Sequence, residues 1–115
     1  MNAQQMLKIV EINEVKDGNV WNDQAKQQWL ILIEEAMSVL KARGYSDTEI
    51  NEKELQSILS IVVEENLYSM VEQALEIIES REGGLDSDTR HNYSGWLVGD
   101  YYVGMTAEEL AATIK

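Results

Sequence analysis

From Glu52 to Arg81 the chain runs about thirty residues without proline or glycine, and apolar side chains recur along it at helical spacing. Leu55, Ile58, Leu59, Val62, Val63, Leu67, Met70, Val71, Ala74, Leu75 and Ile78 make one stripe of i, i+3, i+4, i+7 steps. A stripe of that length has to be covered by other elements, so the flanking segments must carry faces of the same kind. Residues 22–43 do: Ala25, Trp29, Leu32, Ile33, Ala36, Met37 and Leu40 share one side of a second helical pattern. The class this predicts is all-α, a compact bundle of four to five helices in a single acidic domain over residues 1–115. A break near Asn66 would divide the long helix into more ordinary lengths.

The punctuation supports helices. Proline is absent throughout, and Gly18, Gly44, Gly83–Gly84 and Gly104 fall where helices would stop. Ser46 with Glu49, Asn51 with Glu54 and Thr106 with Glu109 have the spacing of capping boxes, each followed by apolar residues. The third helix therefore starts at Asp47 or at Glu52, and a last helix spans 107–115. Residues 87–103 read as a fourth helix, although Gly95 and Gly99 weaken it by about 1 kcal/mol each relative to alanine. The N-terminal segment admits two readings. Asn2 with Gln5 can cap a helix ending at Gly18, the preferred one. Alternatively, β-branched Ile9, Val10, Ile12 and Val15 before Asp17–Gly18 suggest a β-hairpin.

Charge is the second constraint. The formal net charge is −12, and residues 47–82 hold ten carboxylates against two bases, Lys53 and Arg81. Glu65, Glu72, Glu76 and Glu79 are related by steps of seven, four and three, which places them on one side of the helix. Glu64 adjoins them, Glu49 and Glu52 add a one-turn pair, and Glu34–Glu35 extend the set from the second helix. No lysine or arginine lies between Glu54 and Arg81, whereas an ordinary exposed helix intersperses signs. Solubility alone is one explanation of such a face. The other is a basic partner protein. Direct contact with nucleic acid or with anionic lipid runs against the charge.

Signals for chemistry are sparse. Cysteine is absent and His91 is the one histidine, with Ser94 nearby but no orienting acid or oxyanion site in view. Asp86-Ser87-Asp88 opens like a calcium loop, yet His91 stands where glycine is needed and Leu97 where the bidentate glutamate belongs. Gly83–Gly84 lacks the lysine and serine of a phosphate cradle. The expectation is a non-enzyme with no catalytic residues, no cofactor and no metal. No signal peptide or spanning segment is apparent, so a cytoplasmic protein is expected.

Tyr93, Trp96, Tyr101 and Tyr102 form the aromatic set. They are core candidates, and equally the residue types enriched in interface hot spots. With the acidic residues Glu64, Glu65, Glu72, Glu76 and Glu79 they complete the expected partner-binding positions. In size, acidity and helical character the chain resembles phage-encoded DNA-mimic proteins that block restriction enzymes or CRISPR effectors. It is also similar to small acidic immunity proteins that neutralise nucleases. That resemblance, one of charge and size, implies an inhibitor or decoy seated in the basic groove of a nucleic-acid-binding protein. The competing expectation is a helical adaptor that binds through its Trp/Tyr patch. A homodimer would be compatible with either.

Overall fold

The first helix is decided at Asn2. Its side-chain oxygen accepts the Gln5 amide and the Gln5 side chain accepts the Asn2 amide, both at 2.9 Å. This reciprocal box starts α1, Ala3–Lys16. The hairpin alternative is thereby corrected. Asp17 and Gly18 terminate a helix instead of turning a strand: Gly18 takes a left-handed φ of 77°, and the Asn19 amide reaches back to the Glu14 carbonyl at 2.9 Å. Of the four β-branched residues only Val10 joins Met6 and Leu7 on the buried face, and Ile12 and Val15 are more than half exposed; the cap and that buried face outweigh a weak local preference.

The computed structural model describes residues 1–115. After α1 come α2 (Asp23–Ala42), α3 (Glu52–Glu82), α4 (Ser87–Asp100) and α5 (Ala107–Ala111), and no strand is present. The protein is all-α. Asn22 caps α2 by accepting the Ala25 amide at 2.8 Å, and all seven residues of the α2 stripe are buried.

The structure selects between the two expected starts of α3 and departs from the sequence expectation at Asn66 and at the ends of α4 and α5. Glu49 accepts both the amide (3.1 Å) and the hydroxyl (2.6 Å) of Ser46, while its own amide bonds the Ser46 carbonyl at 3.0 Å; the expected box is incomplete, a single turn closes, and no helix follows it. α3 begins at Glu52 instead, where Asn51 accepts the Glu54 amide at 2.9 Å. It then runs unbroken through Asn66, whose side-chain amide donates to the Tyr101 hydroxyl and so does not compete for its own backbone. At the C-terminal end α4 stops at Asp100, Tyr101 is extended, and α5 covers only five residues.

Packing divides the chain into two units, residues 1–64 and 65–115. The first holds α1, α2 and the start of α3, and its fully buried side chains include Met6, Ile33, Ile50 and Leu55. In the second, Val71, Ala74, Leu75 and Ile78 of α3 pack with Leu97 of α4 and with Leu110, Ala111 and Ile114. No polar or charged residue is buried in either unit. No helix is long and apolar enough to cross a membrane.

Candidate functional site

Asp86 sets the geometry of the acidic surface in the second unit. Its carboxylate accepts the Thr89 amide at 2.8 Å and so fixes where α4 starts. One turn later Arg90 faces α3. Its Nη2 lies 2.9 Å from Glu72 Oε2, and its Nε lies 3.2 Å from Glu79 Oε1. The run from Glu64 to Glu79 lacks a base only along its own helix, since α4 supplies one. Glu72 and Glu79 are thus joined by a shared cation. Glu65 and Glu76 remain exposed carboxylates outside any ion pair, and exposed Glu64 is the last residue of the first unit. Sequence reasoning missed Arg90 because it is 18 residues from Glu72 and 11 from Glu79, a separation at which no local pattern operates.

The balance in the second unit stays strongly negative. Residues 65–115 carry ten carboxylates against three bases, a net of −7. Two of those bases are held internally: Arg90 as described, and Arg81 by the Ile114 carbonyl at 3.0 Å and the Glu82 carboxylate at 3.5 Å.

The aromatic residues do not form one cluster. Tyr93 and Trp96 are in ring contact, with centroids 5.6 Å apart and planes tilted by 38°. Tyr93 is half-buried against the core, whereas Trp96 is 58% exposed. Tyr101 belongs elsewhere, with its hydroxyl on Asn66 and its pKa raised by burial. Tyr102 is half-buried in the connection after α4. Trp96 is therefore the member of the set that presents most of its side chain to solvent.

The perturbed carboxyl groups have structural causes. Thr89 N–H holds the Asp86 pKa below the usual carboxylate range, Lys41 does the same for Asp47 at 2.8 Å, and Ser46 for Glu49. A depressed folded pKa contributes stability above the unfolded value, and that contribution is lost as pH falls through the folded one, here below about pH 4. Asp86→Asn keeps an oxygen for Thr89 but cannot titrate. It should leave the melting temperature at neutral pH nearly unchanged and reduce the loss on acidification, as followed by circular dichroism. An acid limb identical to that of the native chain would show that Asp86 takes no part in it.

Elsewhere the surface offers little chemistry. His91 is exposed on α4, and Asp86, the first residue of the calcium-like stretch, acts as a helix cap. No three His, Cys, Asp or Glu side chains are grouped to hold a metal ion. A cleft of about 250 Å³ in the first unit has Met6, Val10, Trp29, Leu59 and Val63 on its walls, with Glu14 as its one ionisable group.

No family model, curated protein or solved structure matches the chain. Functional inference therefore rests on charge, exposure and packing.

Proposed function

We propose that this chain is a non-enzymatic acidic interaction protein, an inhibitor or decoy that occupies the basic groove of a nucleic-acid-binding protein. The observation that carries this reading is the charge of the second unit, a net of −7 in which Arg81 and Arg90 are already engaged internally. Carboxylates fixed on rigid helices present an ordered negative surface that steers a basic partner and competes with phosphate for its lysines and arginines. Arg90 adds order, because it holds Glu72 and Glu79 in place. The carboxylates available to a partner's bases are foremost Glu65 and Glu76.

The test is competition against DNA for a panel of basic DNA-binding proteins. Affinity for the right partner should fall at least about tenfold between about 50 and 200 mM salt. The double substitution Glu65→Lys/Glu76→Lys should weaken it by a similar factor at low salt. Binding that ignores both salt and charge reversal would end this reading.

A second reading, an adaptor that binds through its aromatic surface with acidity serving solubility, is favoured by the exposure of Trp96. It predicts binding that is insensitive to salt and lost on Trp96→Ala.

A further inference from the structure

Helix α4 turns Leu97 and Tyr93 into the core of its unit and leaves its other side uncovered. Asp88, Asn92, Gly95, Trp96, Val98, Gly99 and Asp100 are all exposed. Their arrangement has the relief of a helix-packing surface. Asp88, Asn92, Trp96 and Asp100 are spaced by four and form one ridge. Gly95 and Gly99 form the trough beside it, with Val98 on the far side. Trp96, at 58% exposure, and Val98, at 39%, are thus apolar walls along a strip of bare backbone.

Nothing within this chain accounts for that relief. A Cβ at Gly95 or Gly99 would meet no atom within 4 Å, and neither glycine adopts the left-handed conformation that would require it. Each nonetheless weakens the helix relative to alanine. An exposed tryptophan wall beside two such glycines is the surface a second helix needs for close approach.

We propose that this face of α4 is the docking surface for a basic amphipathic helix of another protein. A ridge of the partner helix enters the Gly95–Gly99 trough, its apolar side chains cover Trp96, and its lysines or arginines reach Asp88 and Asp100. Charge complementarity selects the occupant. Asp88 and Asp100 stand about 18 Å apart along the helix, at a rise of 1.5 Å per residue, and mark the two ends of the ridge. The one arginine of α4 is turned inward to Glu72 and Glu79. A second copy fits poorly: two-fold pairing would set Asp88 and Asp100 against the same aspartates of a molecule of net charge −12. The inference shares with the inhibitor reading only the sign of the partner's charge; it rests on the adaptor reading for Trp96 and deepens it by naming a basic helix as the partner.

The experiment uses the full chain, isotope-labelled for NMR, and a synthetic alanine-based helix of about 20 residues with lysines on one side. A glutamate counterpart of the peptide serves as control. The lysine peptide should shift the amides of residues 88–100 and the Trp96 indole, and the glutamate peptide should not. Gly95→Leu/Gly99→Leu should weaken binding about tenfold or more. Gly95→Ala/Gly99→Ala should raise the melting temperature by about 3–6 °C, which shows that the glycines are not required for folding. Native affinity in the leucine variant, or shifts centred on Glu65 and Glu76, would overturn the proposal, because attraction would then be by charge alone. Concentration-dependent self-association abolished by the leucine pair would also overturn it, in favour of a second copy. Glu65→Lys/Glu76→Lys separates the two surfaces. If it removes peptide binding while the leucine pair does not, the α4 surface fails and the α3 surface stands. If the leucine pair removes binding and the lysine pair does not, the α4 surface stands.

Discussion

Leu97→Ala should destabilise the protein by about 3 kcal/mol, within the range of about 2–5 kcal/mol for leucine truncation in a packed core. Leu97 is the single buried residue of α4, fully enclosed among Val71, Ala74, Leu75, Ile78 and the C-terminal Leu110, Ala111 and Ile114. Its loss removes the apolar anchor that holds α4 against α3, and the surrounding helices cannot collapse fully into the space left behind. Urea unfolding followed by circular dichroism gives the change, and hydrogen exchange at α4 amides shows whether that helix loosens first. Leu97→Met conserves volume and should cost less than about 1.5 kcal/mol. A similar loss from both variants would mean that the side chain's chemistry, and not its enclosure, carries the effect. Because Arg90 rides on the same helix, the alanine variant should also loosen its contacts to Glu72 and Glu79.

Ile33→Ala should cost about 3–4 kcal/mol, whereas Ile31→Ala should stay within about 0.5 kcal/mol. Two residues of identical chemistry stand two apart in an apolar run, Trp29-Leu30-Ile31-Leu32-Ile33. The helix rotates Ile33 to full burial and leaves Ile31 57% exposed. The comparison isolates burial from helix propensity, since both substitutions replace a β-branched residue by the best helix former. Equal losses at the two positions, read from unfolding midpoints, would contradict the packing of α2.

That pair illustrates what periodicity makes legible. Within a helix, the facing of each side chain follows from its position in a 3.6-residue repeat, so the α2 stripe can be read from the sequence and all seven of its members are buried. Caps are equally local. Asn2 with Gln5 and Thr106 with Glu109 form the reciprocal boxes their spacing predicts. The Ser46–Glu49 box shows the limit of that logic. Only half of it forms: the Glu49 carboxylate accepts the Ser46 amide, but the Ser46 hydroxyl donates to that carboxylate and the Glu49 amide turns to the Ser46 carbonyl, so Asn51 starts the helix.

The surface was only half legible for the same reason. Spacing along α3 places Glu65, Glu72, Glu76 and Glu79 on one side, yet it says nothing of what stands opposite. Arg90 stands there, and it divides the four into two paired and two unpaired carboxylates. The aromatic set behaved likewise. Tyr93 and Trp96, three apart on one helix, are in contact, while Tyr101 leaves the helix and reaches Asn66, 35 residues away.

By itself, then, the sequence determined the all-helical class, the buried stripes, most helix ends and the excess of negative charge. All of these depend on interactions within about one turn or on composition. Tertiary structure alone decided which carboxylates keep their charge unopposed, which aromatic ring faces solvent, and that Gly95 and Gly99 lie under open space. Those outcomes depend on which helices become neighbours, and the free energy that selects neighbours is the burial of whole faces, a quantity no short window of sequence contains.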